Sequence, residues 1–136
     1  MANSQFMTTK VSTIHSIKKG SYIIIDGAPC RVVDIKMSAP GKHGHAKARI
    51  QAVGIIDNRK REIIKPSDAK IEVPIIEKKD AQVISINNNI AQVMDLETYE
   101  TFELEIPEEL RDKVKENCQV MYWDVLGTKM MKQVRG

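Results

Sequence analysis

Along much of this chain apolar and polar positions alternate with a period of two, the signature of half-buried strands. In "AKARIQAV", Lys47, Arg49 and Gln51 alternate with Ala48, Ile50 and Ala52. A strand there puts basic groups on one face and small apolar groups on the other. "TFELEI" follows the same rule, with Phe102, Leu104 and Ile106 inward and Thr101, Glu103 and Glu105 outward. In "SYIIIDGAPCRVVDI", Asp26-Gly27 separates two β-branched runs. Both central positions of a tight hairpin turn need positive φ, which such a pair supplies. "GIIDNRKREIIK" turns at Asp57-Asn58, and "DAQVISINNNIAQVMDL" turns at the asparagines 87–89, since asparagine tolerates the left-handed region. A last pair, "VMYWDV" and "KMMKQV", flanks Gly127.

One segment breaks the alternation. "PEELRDKVKEN" predicts a helix: Pro107 suits its first position, Glu108 and Glu109 complement the positive end of the dipole, and Lys113 and Lys115 the negative end. Leu110 and Val114 then share a face, and Asn117 closes it. Upstream, Pro66 and Pro74 interrupt regular pairing around "KPSDAKIEVPIIEKKDA". These features predict a mainly β chain with two small domains, 1–71 and 72–136. The first is a bent sheet or barrel of about five strands. In the second, three strands, a short helix and two strands match a five-stranded oligonucleotide-binding type of barrel. Such a barrel stacks bases on exposed rings, but Trp123 and Phe102 each sit among apolar neighbours and are assigned to the core.

Charge supports the division. Residues 1–70 hold 13 Lys/Arg against 5 Asp/Glu, whereas residues 71–136 hold 8 against 13. No acidic residue occurs between Ile35 and Ile56, while Lys36, Lys42, Lys47 and Arg49 all do. Such a basic stretch suits a polyanion. Apolar residues make up 42% of the 136 positions, enough for a packed core, and aromatics only 4%, so that core is aliphatic. The longest strongly apolar run, "YIII", is too short to cross a bilayer and the start lacks a signal-peptide core. A soluble, cytoplasmic protein with no membrane partner is expected. Cys30 and Cys118 stand apart without a C-x-x-C pattern, which favours reduced thiols.

The most unusual stretch is "SAPGKHGHAK", residues 38–47. Hairpins ordinarily turn in two to five residues, yet this one spends about eight between two strands. Gly41-Lys42 is not a phosphate loop, because Lys36 stands where the first glycine belongs and His43 where Ser or Thr belongs. His43 and His45, with no nearby Cys or carboxylate, fall short of a metal site, and in a basic loop histidines suit stacking or phosphate contact. No nucleophile–base–acid set is visible, so no catalytic residue is assigned and the chain is read as a non-enzyme. What remains is Lys42. Gly41 and Gly44 remove bulk on both sides of it, and Pro40 stiffens the approach. The loop is built to present one amine, to a partner or to a modifying enzyme.

"PGKHGHAKARI", together with "KPSDAKIEVPIIEKK", "DLETYETFEL", "PEEL" and "WDVLGTKMMKQV", resembles the translation initiation factor 5A family, in its archaeal branch, over essentially the whole chain. Bacterial elongation factor P is related, but has a third domain and lacks Lys-His-Gly-His in its loop. The resemblance implies an SH3-like barrel followed by an oligonucleotide-binding domain. It implies that Lys42 is the modified residue, with Pro40, Gly41, His43, Gly44 and His45 as its loop. A deoxyhypusine synthase would transfer the aminobutyl group of spermidine to Lys42, giving deoxyhypusine or hypusine, and no other cofactor is implied. The implied partners are the ribosome, through its rRNA, and peptidyl-tRNA, whose acceptor end the long side chain would orient when synthesis stalls at proline runs. Lys36, Lys47 and Arg49 are assigned to RNA phosphate by charge and placement. The alternative is a general single-stranded RNA-binding or chaperone module indifferent to modification.

Overall fold

The computed structural model describes residues 9–38 and 46–135. The expectations for Pro40, Gly41, Lys42, His43, Gly44 and His45 lie outside the described residues. The chain is mainly β and divides into two compact units, the first ending at Ile75 and the second beginning at Ile76.

The first unit is the SH3-like barrel. Its strands are β1 (Thr9–Thr13), β2 (Tyr22–Ile25), β3 (Ala28–Ser38), β4 (Lys47–Gly54), β5 (Lys60–Pro66) and β6 (Lys70–Pro74). Strands β2-β3-β4-β5 form one antiparallel sheet, and β1 pairs with β6. The β2–β3 turn is the Asp26-Gly27 pair, at φ 51° and 79°, the left-handed pair that a tight hairpin requires. Along β4 the alternation holds at every step: Lys47, Arg49 and Gln51 are exposed, and Ala48, Ile50 and Ala52 are buried. With Ile14, Ile23 and Val32 these apolar groups form the core. Full burial of a residue such as Ile50 contributes about 1.5–3 kcal/mol. Strand β6 corrects the domain boundary. Its register against β1, from Thr13↔Lys70 to Thr9↔Pro74, ties residues 70–74 to the first unit, so the division falls after Ile75 rather than after residue 71.

The second unit is the oligonucleotide-binding barrel, of β7 (Ile76–Asn87), β8 (Ile90–Asp95), β9 (Thr101–Glu105), β10 (Gln119–Val125) and β11 (Thr128–Val134). The strand order is β11-β10-β7-β8-β9, and β11 also approaches β9, curling the sheet. Asn88, at φ 58°, turns β7 into β8. The core gathers Val83, Val93, Leu104, Val120, Tyr122 and Met131. Between β9 and β10 the predicted helix is a single 3-10 turn, Glu108–Leu110, flanked by Pro107 as its cap. Leu110 and Val114 are both buried, but two apolar contacts on one turn do not offset helix nucleation in so short a segment. The chain turns away at Asn117, φ 69°.

The core assignment of Trp123 is also corrected. Adjacent residues on a strand face opposite sides, and on β10 it is Tyr122 that takes the inside, 1% exposed, leaving Trp123 half-buried on the outer face. Phe102 is half-buried against the core, edge-to-face with Tyr122 at 5.1 Å. The Tyr122 hydroxyl donates to Asp95 Oδ2, and Asp95 Oδ1 accepts from the backbone of Glu97 and Thr98, both at 2.8 Å. Burial pushes the Asp95 carboxyl up. The bonds from Tyr122, Thr98 and Glu97 outweigh it and hold the group below the usual carboxylate range. Cys30 is buried and Cys118 half-buried, and both are free thiols. Among the described residues no helix is long and apolar enough to cross a membrane.

Candidate nucleic-acid interface

The site is the outer face of β3, β4 and β5, and cross-strand register builds it row by row. Lys36 lies opposite Arg49, which lies opposite Ile64; Ser38 lies opposite Lys47, which lies opposite Pro66. The third row is Asp34, Gln51 and Glu62. A bulge between Val32 and Asp34 inserts Val33, bending β3. Because paired residues share a face, Lys36, Lys47 and Arg49, chosen from the sequence by charge, are brought together on one surface. A hollow of about 190 Å³ lies among Asp34, Lys36, Arg49 and Gln51.

The three basic groups are not equivalent. Arg49 Nε donates to Glu62 Oε2 at 2.8 Å, and Gln51 Nε2 donates to the same oxygen at 3.2 Å. These bonds hold Glu62 below its ordinary range, and they engage much of the Arg49 charge. Lys36 and Lys47 form no ion pair among the described residues, and both are exposed. They are the groups available to an incoming phosphate. The acid-free run from Ile35 to Ile56 did not reveal Glu62, because the acid arrives from the next strand. Counting back from the β4–β5 turn would have set Glu62 opposite Gln51.

At the end of the sheet the loop-bearing hairpin is fastened. The Ser38 hydroxyl donates to the Lys47 carbonyl at 3.2 Å and accepts from the Lys47 amide at 3.3 Å. Ser67 N donates to the Ala46 carbonyl at 2.8 Å, and the Ser67 carbonyl accepts from His15 N at 3.0 Å. Residues 38 and 46–47, where the "APGKHGHA" segment begins and ends, are therefore tied across the pair and to the preceding 3-10 turn, Ile14–Ser16. Sequence reading missed Ser38 as a fastener.

At the other end, the β4–β5 turn is clamped. Arg61 donates to both Asp57 oxygens, at 3.2 and 2.8 Å, and Asp57 Oδ1 also accepts from Arg59 N. The bonds from Arg61 and Arg59 hold the Asp57 carboxyl down to about 2. A Cβ on Gly54 would stand 2.0 Å from Asp57 Oδ1, so glycine is what lets the clamp close. Arg61 is thus engaged in the clamp rather than available to an anion. Among the described residues no group of three or more His, Cys, Asp or Glu is placed to hold a metal ion.

Two family models match the chain. "Translation initiation factor 5A-like, N-terminal" matches residues 7–69, and "Eukaryotic elongation factor 5A hypusine, DNA-binding OB fold" matches residues 75–135. The translation initiation factor 5A of Archaeoglobus fulgidus is 52% identical over 89% of this chain and 94% of its own length. The chain belongs to the translation initiation factor 5A family. The Pyrococcus horikoshii factor is likewise 52% identical, over 94% of this chain and 95% of its own length. Among solved structures, a factor 5A from Methanococcus jannaschii superposes with a TM-score of 0.89 at 42% identity, covering 96% of this chain and 97% of that one. A Naegleria fowleri member of the factor 5A family reaches 0.76 at 27% identity, covering 95% and 99%. Membership makes this a translation factor rather than an enzyme, and it supplies the mainly β, two-barrel architecture with a known counterpart. In this factor 5A chain the first matched segment contains the whole β3–β4–β5 face.

Proposed function

We propose that this chain works in the cytoplasm on the ribosome, beside peptidyl-tRNA, and presents an elongated Lys42 side chain to the acceptor end of that tRNA. One observation carries the reading: the Gly-Lys-His-Gly sequence is borne by a hairpin fastened through Ser38, in a chain whose second half matches a model described by the word hypusine. Lys36 and Lys47 fit phosphate contacts on rRNA or tRNA, which position the barrel without reading sequence. Arg49, engaged with Glu62, has the lesser part.

The modification follows from the chemistry of the amine. A deoxyhypusine synthase transfers the aminobutyl group of spermidine: the butyl carbon leaves the secondary nitrogen of spermidine and bonds to Lys42 Nζ, and diaminopropane departs. Lysine is a compact cation on a flexible stem. The added arm roughly doubles its reach and adds a second amine, so charge is gained. Its role is orientation. Proline has a secondary amine and a fixed φ, so attack between prolines is slow, and steadying the acceptor end recovers part of the entropy of alignment. The loop residues Pro40, Gly41, His43, Gly44 and His45 shape the approach to Lys42.

The test is the mass of the Lys42 peptide from the native source, which should exceed that of plain lysine by an aminobutyl group, with or without one hydroxyl. Unmodified Lys42 there overturns the reading. So does normal translation of proline runs in cells that depend on Lys42→Arg, since arginine keeps the charge but does not accept the group.

A further inference from the structure

In oligonucleotide-binding barrels nucleic acid usually lies on the outer face of the second and third strands, here β8 and β9. Neither strand contains a lysine or arginine. The outward residues of β9 include Glu103 and Glu105, opposite Gln92 and Ile90, so this face repels a phosphate chain. Basic groups gather elsewhere on the unit. On the outer side of β7, β10 and β11, Lys78 lies opposite Trp123 with its Nζ 5.3 Å from the ring centroid. Lys132 Nζ stands 4.7 Å from the same centroid. Lys132 is the extra residue of β11, between the pairs Tyr122↔Met131 and Met121↔Gln133, and such a bulge re-aims a side chain. Met130, opposite Trp123, is half-buried beside it.

Two ammonium groups are thus drawn over one ring, within about one Debye length of each other at ordinary salt. Neither has an ion-pair partner among the described residues. The nearby Asp80 is engaged by Arg135 at 2.7 Å. A ring quadrupole attracts a cation but does not neutralise it. It does order the lysine stems along an apolar surface, which lowers the entropy lost when an anion binds. Two ordered, unneutralised cations beside a flat indole and a methionine match alternating phosphates and bases better than they match a uniformly charged peptide.

We propose that the Lys78–Trp123–Lys132 patch is a second RNA contact, binding single-stranded RNA on the outer face of β7, β10 and β11 in place of the acidic β8–β9 face. The inference does not depend on the state of Lys42.

Trp123 is the single tryptophan of the chain, so its fluorescence reports on this patch directly. The full-length protein is titrated with a short oligouridylate at several salt concentrations. The expected result is saturable quenching, with an affinity that weakens in Lys78→Glu/Lys132→Glu by about tenfold or more and a salt slope that falls by about 1.4, the loss of two phosphate contacts. If the double charge reversal unfolds the protein, Lys78→Gln/Lys132→Gln should show the same direction with a smaller change. Absence of quenching at low salt overturns the proposal, as does unchanged affinity in a folded double variant. Equal or stronger quenching by a polyglutamate peptide of matched length would assign the patch to an acidic protein surface instead.

Discussion

The two barrels of this chain share a recipe and differ in what covers them. Both are antiparallel sheets with a small aliphatic core, and both bend at bulges, at Val33 in the first unit and near Val83 in the second. On the first, the outward rows read Lys36–Arg49–Ile64 and Ser38–Lys47–Pro66. On the second, the rows of β8 and β9 read Gln92–Glu103 and Ile90–Glu105. Core composition therefore says little about partner. The partner is set by side chains that take no part in folding, and these can be exchanged on a conserved frame. The contrast also separates lysines with no acidic partner from arginines already neutralised by Glu62, Asp57 and Asp80.

The comparison can be broken at several points. The largest effect belongs to the first barrel's loop: Lys42→Arg should abolish growth-supporting translation of proline runs while leaving the thermal midpoint unchanged, read by complementation and by melting. Next come the cores. Ile50→Ala in one unit and Leu104→Ala in the other, both essentially buried, should each cost about 2–5 kcal/mol in urea unfolding. A large loss at only one of them would show that the cores are not equivalent.

Tyr122→Phe comes third, removing a buried bond to Asp95 at a cost of about 1–3 kcal/mol. The folded Asp95 carboxyl lies below its unfolded value. Its contribution is therefore fully present above about pH 4 and is lost as the pH falls through the folded value. Tyr122→Phe should flatten that acid dependence, and urea midpoints taken at neutral and acid pH check it. Smaller again, Lys47→Ala should lower the salt slope of ribosome binding by about 0.7–0.9. Arg49→Ala should change that slope less and leave the thermal midpoint where it was, because an exposed pair contributes little. An Arg49 effect larger than that of Lys47 would reverse the ranking drawn from Glu62.

Local rules located the strands well because they act over a few residues. Asp26-Gly27, the asparagine turn at Asn88, the alternation of β4 and the facing of "TFELEI" all follow from neighbours in sequence. Rules that need distant partners failed. The helix at 107–117 has a proline at its start, charges that complement the dipole and an asparagine at its end, but no side chain caps its first turn and its two apolar contacts support only a 3-10 turn. Trp123 and Tyr122 are equally apolar on paper, and the register of β10 against β7 and β11 decides which one enters the core. Left-handed Leu126 and Tyr99, at φ 53° and 64°, carry no turn signal, since bulky residues rarely adopt that region.

By itself the sequence determined the strand periodicity, the two-part charge division and the Gly-Lys-His-Gly loop that points to the family, because each is written in adjacent residues. Only the tertiary structure decided which charges are free. Glu62 reaches Arg49 across β4 and β5, and Lys78 meets Lys132 over one indole from two different strands. Charge acts through space over several ångströms, and only the folded sheet brings those residues within that range.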